Sequence, residues 1–401
     1  MNNARGMNKI EYVSLTGILR QIYIFSFVTY VSLNLVYGGA NFFGVMNIQT
    51  PIGFLTHMAY YLTIITSIAN AILNYKYSLK KTVFVLIAGI VLFLMLINSN
   101  RSLIFFFLVI IGYPKDLELK KLSNYLYHAM IFGIIFVLVM HFLGFFKDVV
   151  FVQHSVLRHS LGFTAPNAMA NYILLVFLLK VYTSWDDWHL KDTIVWLIII
   201  STSYFFTNSR AAFFYGAASL ISTALYRNGK FTKNMMAILN WLPTVSFTVL
   251  MMVTLYAILY FSKHSTYLET VINGLTTGRL GLMLSFYQDY GFSWFGHHIA
   301  TISLAEVRAS GGRLSWYGLD TSYAYIAIND GFLGLICYWF IFFFANVQVV
   351  KKKDWGGIIL LSSLALIGLT ENYLRQVTLN FMFFIFASYI SSIRMPNIEC
   401  N

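Results

Sequence analysis

KDTIVWLIIISTSYFFTNSRAAFFYGAASLISTALYRNGKFTK, residues 191–233, is the stretch whose reading decides the fold class. Two apolar runs, 193–208 and 210–226, come close to the roughly 17–25 residues needed to cross the hydrocarbon of a bilayer. They meet at Asn208, Ser209 and Arg210, too few residues for anything but a tight turn. Lys191 precedes the first run, and Arg227, Lys230 and Lys233 follow the second. Basic connections of this kind mark the cytoplasmic side. Both flanks are therefore expected inside, and Arg210 outside.

Extending that alternation outward predicts an all-α polytopic membrane protein, a single membrane domain over residues 1–401. Twelve spans are expected near 19–38, 52–74, 82–98, 101–113, 123–146, 167–184, 193–208, 210–226, 237–261, 320–349, 355–372 and 375–393. Composition agrees: 58% of the 401 residues are hydrophobic and 10% charged, where soluble proteins carry about 25% charged residues. Mean hydropathy is +0.69. The net charge of +12 reflects lysines placed against anionic headgroups, so no nucleic-acid partner is implied. Two cysteines, Cys337 and Cys400, exclude a disulfide framework. The N-terminus, with Arg5, Lys9 and Arg20, runs straight into the first span and reads as a signal anchor, with both termini inside.

The basic residues divide by type as well as by side. Of 27, the inner segments hold 18, 14 of them Lys; the outer segments hold nine, of which seven are Arg. Those seven are Arg101, Arg158, Arg210, Arg279, Arg308, Arg313 and Arg375. Outer arginine opposes the orientation signal, so another need must keep it there. A guanidinium suits bidentate contact with phosphate in a poorly hydrated place. Two outer connections are long, 147–166 and 262–319, and loops beyond about 15 residues are usually functional. In the longer one, Leu280, Met283, Leu284 and Tyr287 at helical spacing predict a helix lying along the bilayer surface.

Five segments carry the candidate residues. Arg210 in TNSRAAFFYG stands at the outer end of two adjoining spans; its bland alternative is an interfacial anchor. Arg279 in TTGRLGLM follows Gly278, which lets a backbone approach a ligand closely. RHSLGFTAPNAMAN brings Arg158 and Asn167 to the start of a span, where Asn167 could equally cap the helix. LDTSYAYIAINDG brings Asp320, a candidate base or an N-cap, and Tyr323, a candidate substrate contact. LTENYLRQV brings Glu371, a second candidate carboxylate, four residues from Arg375. The histidines lack ligand spacing, so neither metal nor cofactor is expected.

These segments, GFTAPNAMA, NSRAAF, TTGRLGLMLSF with WFGHH, DTSYAYIAINDGFLGL and LTENYL, resemble in order and spacing the O-antigen polymerase and O-antigen ligase group of membrane glycosyltransferases. The resemblance covers roughly residues 150–393. It implies a GT-C-like fold of about twelve spans with one large extracytoplasmic loop, in a bacterial cytoplasmic membrane. It also implies inverting, metal-independent transfer from undecaprenyl-pyrophosphate-linked oligosaccharide at the outer face. Arg158, Arg210 and Arg279 would hold the diphosphate, and Asp320 or Glu371 would take the acceptor's proton. Expected partners are membrane lipids, a flippase and chain-length regulators. Ligases of the group carry a His at the start of the span after the large loop; here Asp320-Thr321-Ser322-Tyr323 stands there, which favours a polymerase. A ligase-type transferase, a SEDS-type transglycosylase and a flippase share the same lipid-diphosphate chemistry and remain alternatives.

Overall fold

In the computed structural model, which describes residues 9–42, 46–74, 102–114, 117–153, 155–229, 232–264, 266–302, 306–307, 317–376 and 378–393, the apolar runs fold as helices. These are α1 (Lys9–Gly39), α2 (Met46–Asn74), α3 (Ser102–Ile111), α4 (Leu119–Phe142), α5 (Pro166–Thr183), α6 (Leu190–Thr207) and α7 (Arg210–Asn228). They continue as α8 (Lys233–Phe261), α9 (Tyr267–Leu275), α10 (Arg279–Tyr290), α11 (Ser322–Lys351), α12 (Trp355–Ile367) and α13 (Met382–Ile393). Among the described residues, six segments are long and apolar enough to cross a membrane: Leu15–Gly39, Ile48–Leu73, Leu119–Phe142, Leu190–Thr207, Asn234–Phe261 and Ser322–Lys351. The chain is thus a mostly helical, multi-pass membrane protein. The third expected span, 82–98, lies outside the described residues.

Helix α5 forms the centre. It is apolar nearly all round and buried along most of its length, the pattern of a helix enclosed by others. It packs against α4, α6, α7 and α12, while α12 also meets α7 and α8. Its start follows the usual rule: Pro166 occupies the first turn, where a missing N–H costs nothing.

Local chemistry sets the ends that matter. Helix α6 stops at Asn208, which takes the left-handed conformation (φ 45°) while its N–H donates to the Tyr204 carbonyl at 2.7 Å. Asn tolerates that conformation better than most residues, and α7 starts two residues later. The connection 147–166 is not a plain loop. It carries a hairpin, β1 (Val150–Gln153) with β2 (Val156–His159), in the register Phe151 opposite Arg158. Asp148 ties its base: its carboxylate meets His159 Nδ1 at 2.6 Å and accepts the N–H groups of Ser160 and Leu161, both at 2.8 Å.

The expected surface helix is corrected. Leu280, Met283 and Leu284 of α10 are buried with Ile258, Phe261, Leu319 and Ile328, because α10 packs on α8 and on the first turns of α11. The exposed amphipathic helix is its neighbour α9, which buries none of its residues and shows Tyr267, Leu268 and Leu275 to the surroundings.

The last two expected spans are also shorter than read. Helix α12 ends at Ile367 and α13 starts only at Met382, with an irregular turn, 368–376 and 378–381, between them. Side-chain hydrogen bonds, from within the turn and from α11, take up its carbonyls instead of a continuing helix. Asn380 Nδ2 donates to the Leu374 carbonyl at 2.5 Å, and Ser322 at the head of α11 donates to the Glu371 carbonyl at 2.6 Å. Helix α11 itself is interrupted by a π turn, Ile326–Asp330, and by Gly331 at φ 75°. Backbone from the long connection covers that turn, with His297 N–H on the Ile328 and Asn329 carbonyls at 3.0 and 3.1 Å.

Candidate functional site

The two ends of the bundle differ in charge. At one end Lys120 pairs with Asp186 at 3.1 Å, and Arg227 donates to the Asp186 and Trp188 carbonyls. At the other, arginines that lie far apart in sequence meet. An open pocket of about 440 Å³ is lined by Arg158, Asn167, Asn208, Ser209, Arg210 and Arg279, with Ala211 and Thr277. Its walls are the hairpin strand β2 and the starts of three helices: α5 at Asn167, α7 at Arg210 and α10 at Arg279. None of the three cap residues supplies a side-chain hydrogen bond, but in α10 the Gly281 N–H is taken by Asn273 Oδ1 at 2.8 Å. The starts of α5 and α7 leave N–H groups without a side-chain cap, and all three helices direct the positive end of their dipoles outward, an arrangement that favours anions.

Each guanidinium is held differently. Arg158 donates from Nε to the Thr207 carbonyl at 2.8 Å and from Nη2 to Asn167 Oδ1. Asn167 therefore does not cap α5; Ala165 holds the cap position. Burial, and then the nearby charges of Arg279 and Arg210, lower the proton affinity of Arg158 below its ordinary value, with Glu371 acting in the opposite sense. The fold thus crowds like charges around an open space. Arg210 is exposed at the mouth and has no hydrogen-bond or ion-pair partner among the described residues. Arg279, with its side chain 14% exposed, follows Thr277 and Gly278, both at positive φ (55° and 87°). Its Nη2 lies 3.2 Å from Glu371 Oε1, its Nε 3.9 Å from Asp320 Oδ2, and its Nη1 donates to Thr277 Oγ1 at 3.0 Å.

The two carboxylates sit behind Arg279. Glu371, on the turn after α12, is 7% exposed. Burial pushes its carboxyl up to about 7, opposed by the Arg279 charge and reinforced by that of Asp320. Asp320 precedes α11 with its side chain 38% exposed. Burial raises its carboxyl above the ordinary range, with Arg279 pulling it back.

One predicted contact is corrected. Tyr323 is fully buried, its hydroxyl donating to the Ala365 carbonyl at 2.7 Å and its ring edge-on to Phe247. It braces α11 against α12 and does not line the pocket. Arg375 also lies elsewhere, stacked 4.1 Å over the Tyr325 ring. Sequence reasoning passed over Asn171, a buried amide of α5 beside Glu371 and Tyr373. Its signal was an amide one turn past Asn167 in an otherwise apolar run.

A second cavity adjoins the first through their shared Ser209. It is mainly apolar and lies about one helical turn deeper, among Ala170, Ile173, Ser203, Tyr204, Ala212 and Phe213 of α5, α6 and α7. Beside it Phe205 and Phe214 are exposed. Among the described residues no group of three His, Cys, Asp or Glu could hold a metal ion. No protein-family model matches the chain, and no curated protein matches it.

Proposed function

We propose that the chain is a membrane glycosyltransferase of the O-antigen polymerase type, joining oligosaccharide repeat units carried on undecaprenyl pyrophosphate. The observation that carries this reading is the meeting of Arg158, Arg210 and Arg279 with three helix starts around one pocket. Such a site suits a diphosphate, and mainly apolar side chains adjoin it on the side where a lipid chain on that diphosphate would leave. In this reading the molecule has the twelve-span, GT-C-like arrangement in a bacterial cytoplasmic membrane, with its arginine end facing out and its lysine end facing in. A flippase would supply the substrate, and chain-length regulators would act on the product.

The chemistry asked of the site is modest. The acceptor hydroxyl oxygen forms a bond to the anomeric carbon as the bond from that carbon to the phosphate oxygen breaks. The diphosphate leaves with the electron pair, and inversion follows from attack on the opposite face. Fixed guanidiniums and helix starts stabilise the charge that grows on the leaving group, and the same contacts align donor and acceptor. Asp320, the more exposed of the two carboxylates, takes the acceptor's proton; a carboxyl raised by its surroundings suits a general base. No metal is required in this scheme.

The test is reconstitution. Purified protein in liposomes is given a synthetic undecaprenyl-pyrophosphate oligosaccharide, and product length is read on a gel. A ladder of longer products is expected. Movement of substrate across the bilayer with no change in length would replace this reading with a flippase.

A further inference from the structure

Arg279 divides its guanidinium between the pocket and Glu371, and that division has a consequence for any anion that enters. The Glu371 main chain is held in place behind the arginine. Its own carbonyl accepts from Ser322 Oγ at 2.6 Å, and its N–H donates to the Ile367 carbonyl at 2.9 Å. The titratable and charged groups acting on it from neighbouring elements are Arg279 of α10, Arg158 of β2, Asp320 before α11 and Tyr215 of α7, with Tyr373 on its own turn; the neutral amide of Asn171 on α5 adjoins them. The only cations among these are Arg279 and Arg158, and both line the pocket. An anion in the pocket therefore competes with Glu371 for both of its positive neighbours.

A buried carboxylate that loses its counter-ion is strongly disfavoured. The cheapest relief is to neutralise it by protonation. We propose that Glu371 is the resident counter-ion of this pocket, and that binding of an anion there draws one proton from solvent onto its carboxylate. The exchange balances: the anion replaces the carboxylate on Arg279, and the proton replaces Arg279 on the carboxylate. Burial already holds this carboxyl near neutrality, so the exchange falls in an accessible pH range. The inference rests on the reading of the pocket as an anion site, and it makes Glu371 a positioning residue for Arg279 rather than a base.

Calorimetry on the full-length protein in detergent tests it, with sulfate as a dianion that does not itself titrate near neutrality. Titrations in buffers of different ionisation enthalpy report protons taken up per anion bound. Wild type is expected to take up close to about one proton per sulfate near pH 8 and progressively fewer toward pH 5, its affinity rising up to about tenfold per unit fall in pH above the carboxyl's range. Glu371→Gln is expected to show no uptake, and to bind roughly tenfold or more tightly than wild type near pH 8 because no carboxylate competes. Sulfate binding without proton uptake in wild type overturns the proposal. So does an identical pH dependence in wild type and Glu371→Gln. Wild-type uptake decides alone if the variant does not fold. No sulfate binding at all overturns the anion-site reading together with this one. Coupled uptake without polymer formation leaves this inference standing while removing the glycosyltransferase.

Discussion

Arg210 and Tyr323 were both candidate substrate contacts in the sequence, and the fold gives them opposite positions. Arg210 is exposed at the pocket mouth with no partner among the described residues. Arg210→Ala should therefore leave thermal stability unchanged. If the residue stabilises the leaving diphosphate, turnover falls about 100-fold or more, the cost of one preorganised charge contact. Full-length polymer from a normally expressed Arg210→Ala protein would remove it from the site. Tyr323 is buried, and its hydroxyl serves the Ala365 carbonyl. Tyr323→Phe should cost about 1 kcal/mol of stability through that lost hydrogen bond, with catalysis by the folded fraction unchanged. A thermal melt alongside the polymer assay separates the two effects. Residue type alone could not tell these cases apart. A tyrosine at a helix start serves packing and ligand contact equally well, and only its neighbours show which.

At the scale of elements, backbone detail places the arginines. The α6–α7 connection is tight because Asn208 accepts a left-handed conformation, and this brings Thr207 and Ser209 beside the hairpin that carries Arg158. The hairpin depends on Asp148, whose carboxyl is penalised by burial but held below its ordinary range by the hydrogen bonds of His159, Ser160 and Leu161. That contribution to stability is present at neutral pH and is lost as pH falls through the lowered value. The π turn at the head of α11 depends on glycine in the irregular segment that faces it. Gly296 has φ 80°, and a side chain there would run into the Asn329 carbonyl. Gly296→Ala should destabilise the protein by roughly 3 kcal/mol or more, since both the conformation and the contact oppose it. A variant that melts with wild type would show that this segment is free to shift. The tight α6–α7 turn was legible beforehand in Asn208 and Ser209; the hairpin and the π turn were not. The hairpin strands are four residues each, and the π turn sits within an apolar run that reads as ordinary helix.

At the scale of the whole molecule, Arg158, Arg210 and Arg279 gather at one end of the bundle, and Lys120, Asp186 and Arg227 meet at the other. Which end faces the cytoplasm is open to direct labelling. In a background with Cys337 and Cys400 changed to Ser, Ser155→Cys at the hairpin tip and Asp187→Cys after α5 are both exposed positions. A membrane-impermeant maleimide should label Ser155→Cys in intact cells and Asp187→Cys only after permeabilisation. The reverse pattern would turn the molecule over and end the reading of an outer-face site. The number of crossings is less simple than the apolar runs implied, because α12 and α13 are shortened by the polar turn that holds Glu371.

What the amino-acid order determined by itself was the class of protein, its helical runs and the segments from which the site is drawn. Hydrophobic length and charge placement act locally and need no partner to be read. Tertiary structure alone decided that Arg158, Arg210 and Arg279 share a pocket, that Glu371 stands against Arg279, and that Tyr323 is structural. Those facts depend on how helix ends converge, and convergence is set by packing between segments more than 100 residues apart, as Arg279 and Arg158 are.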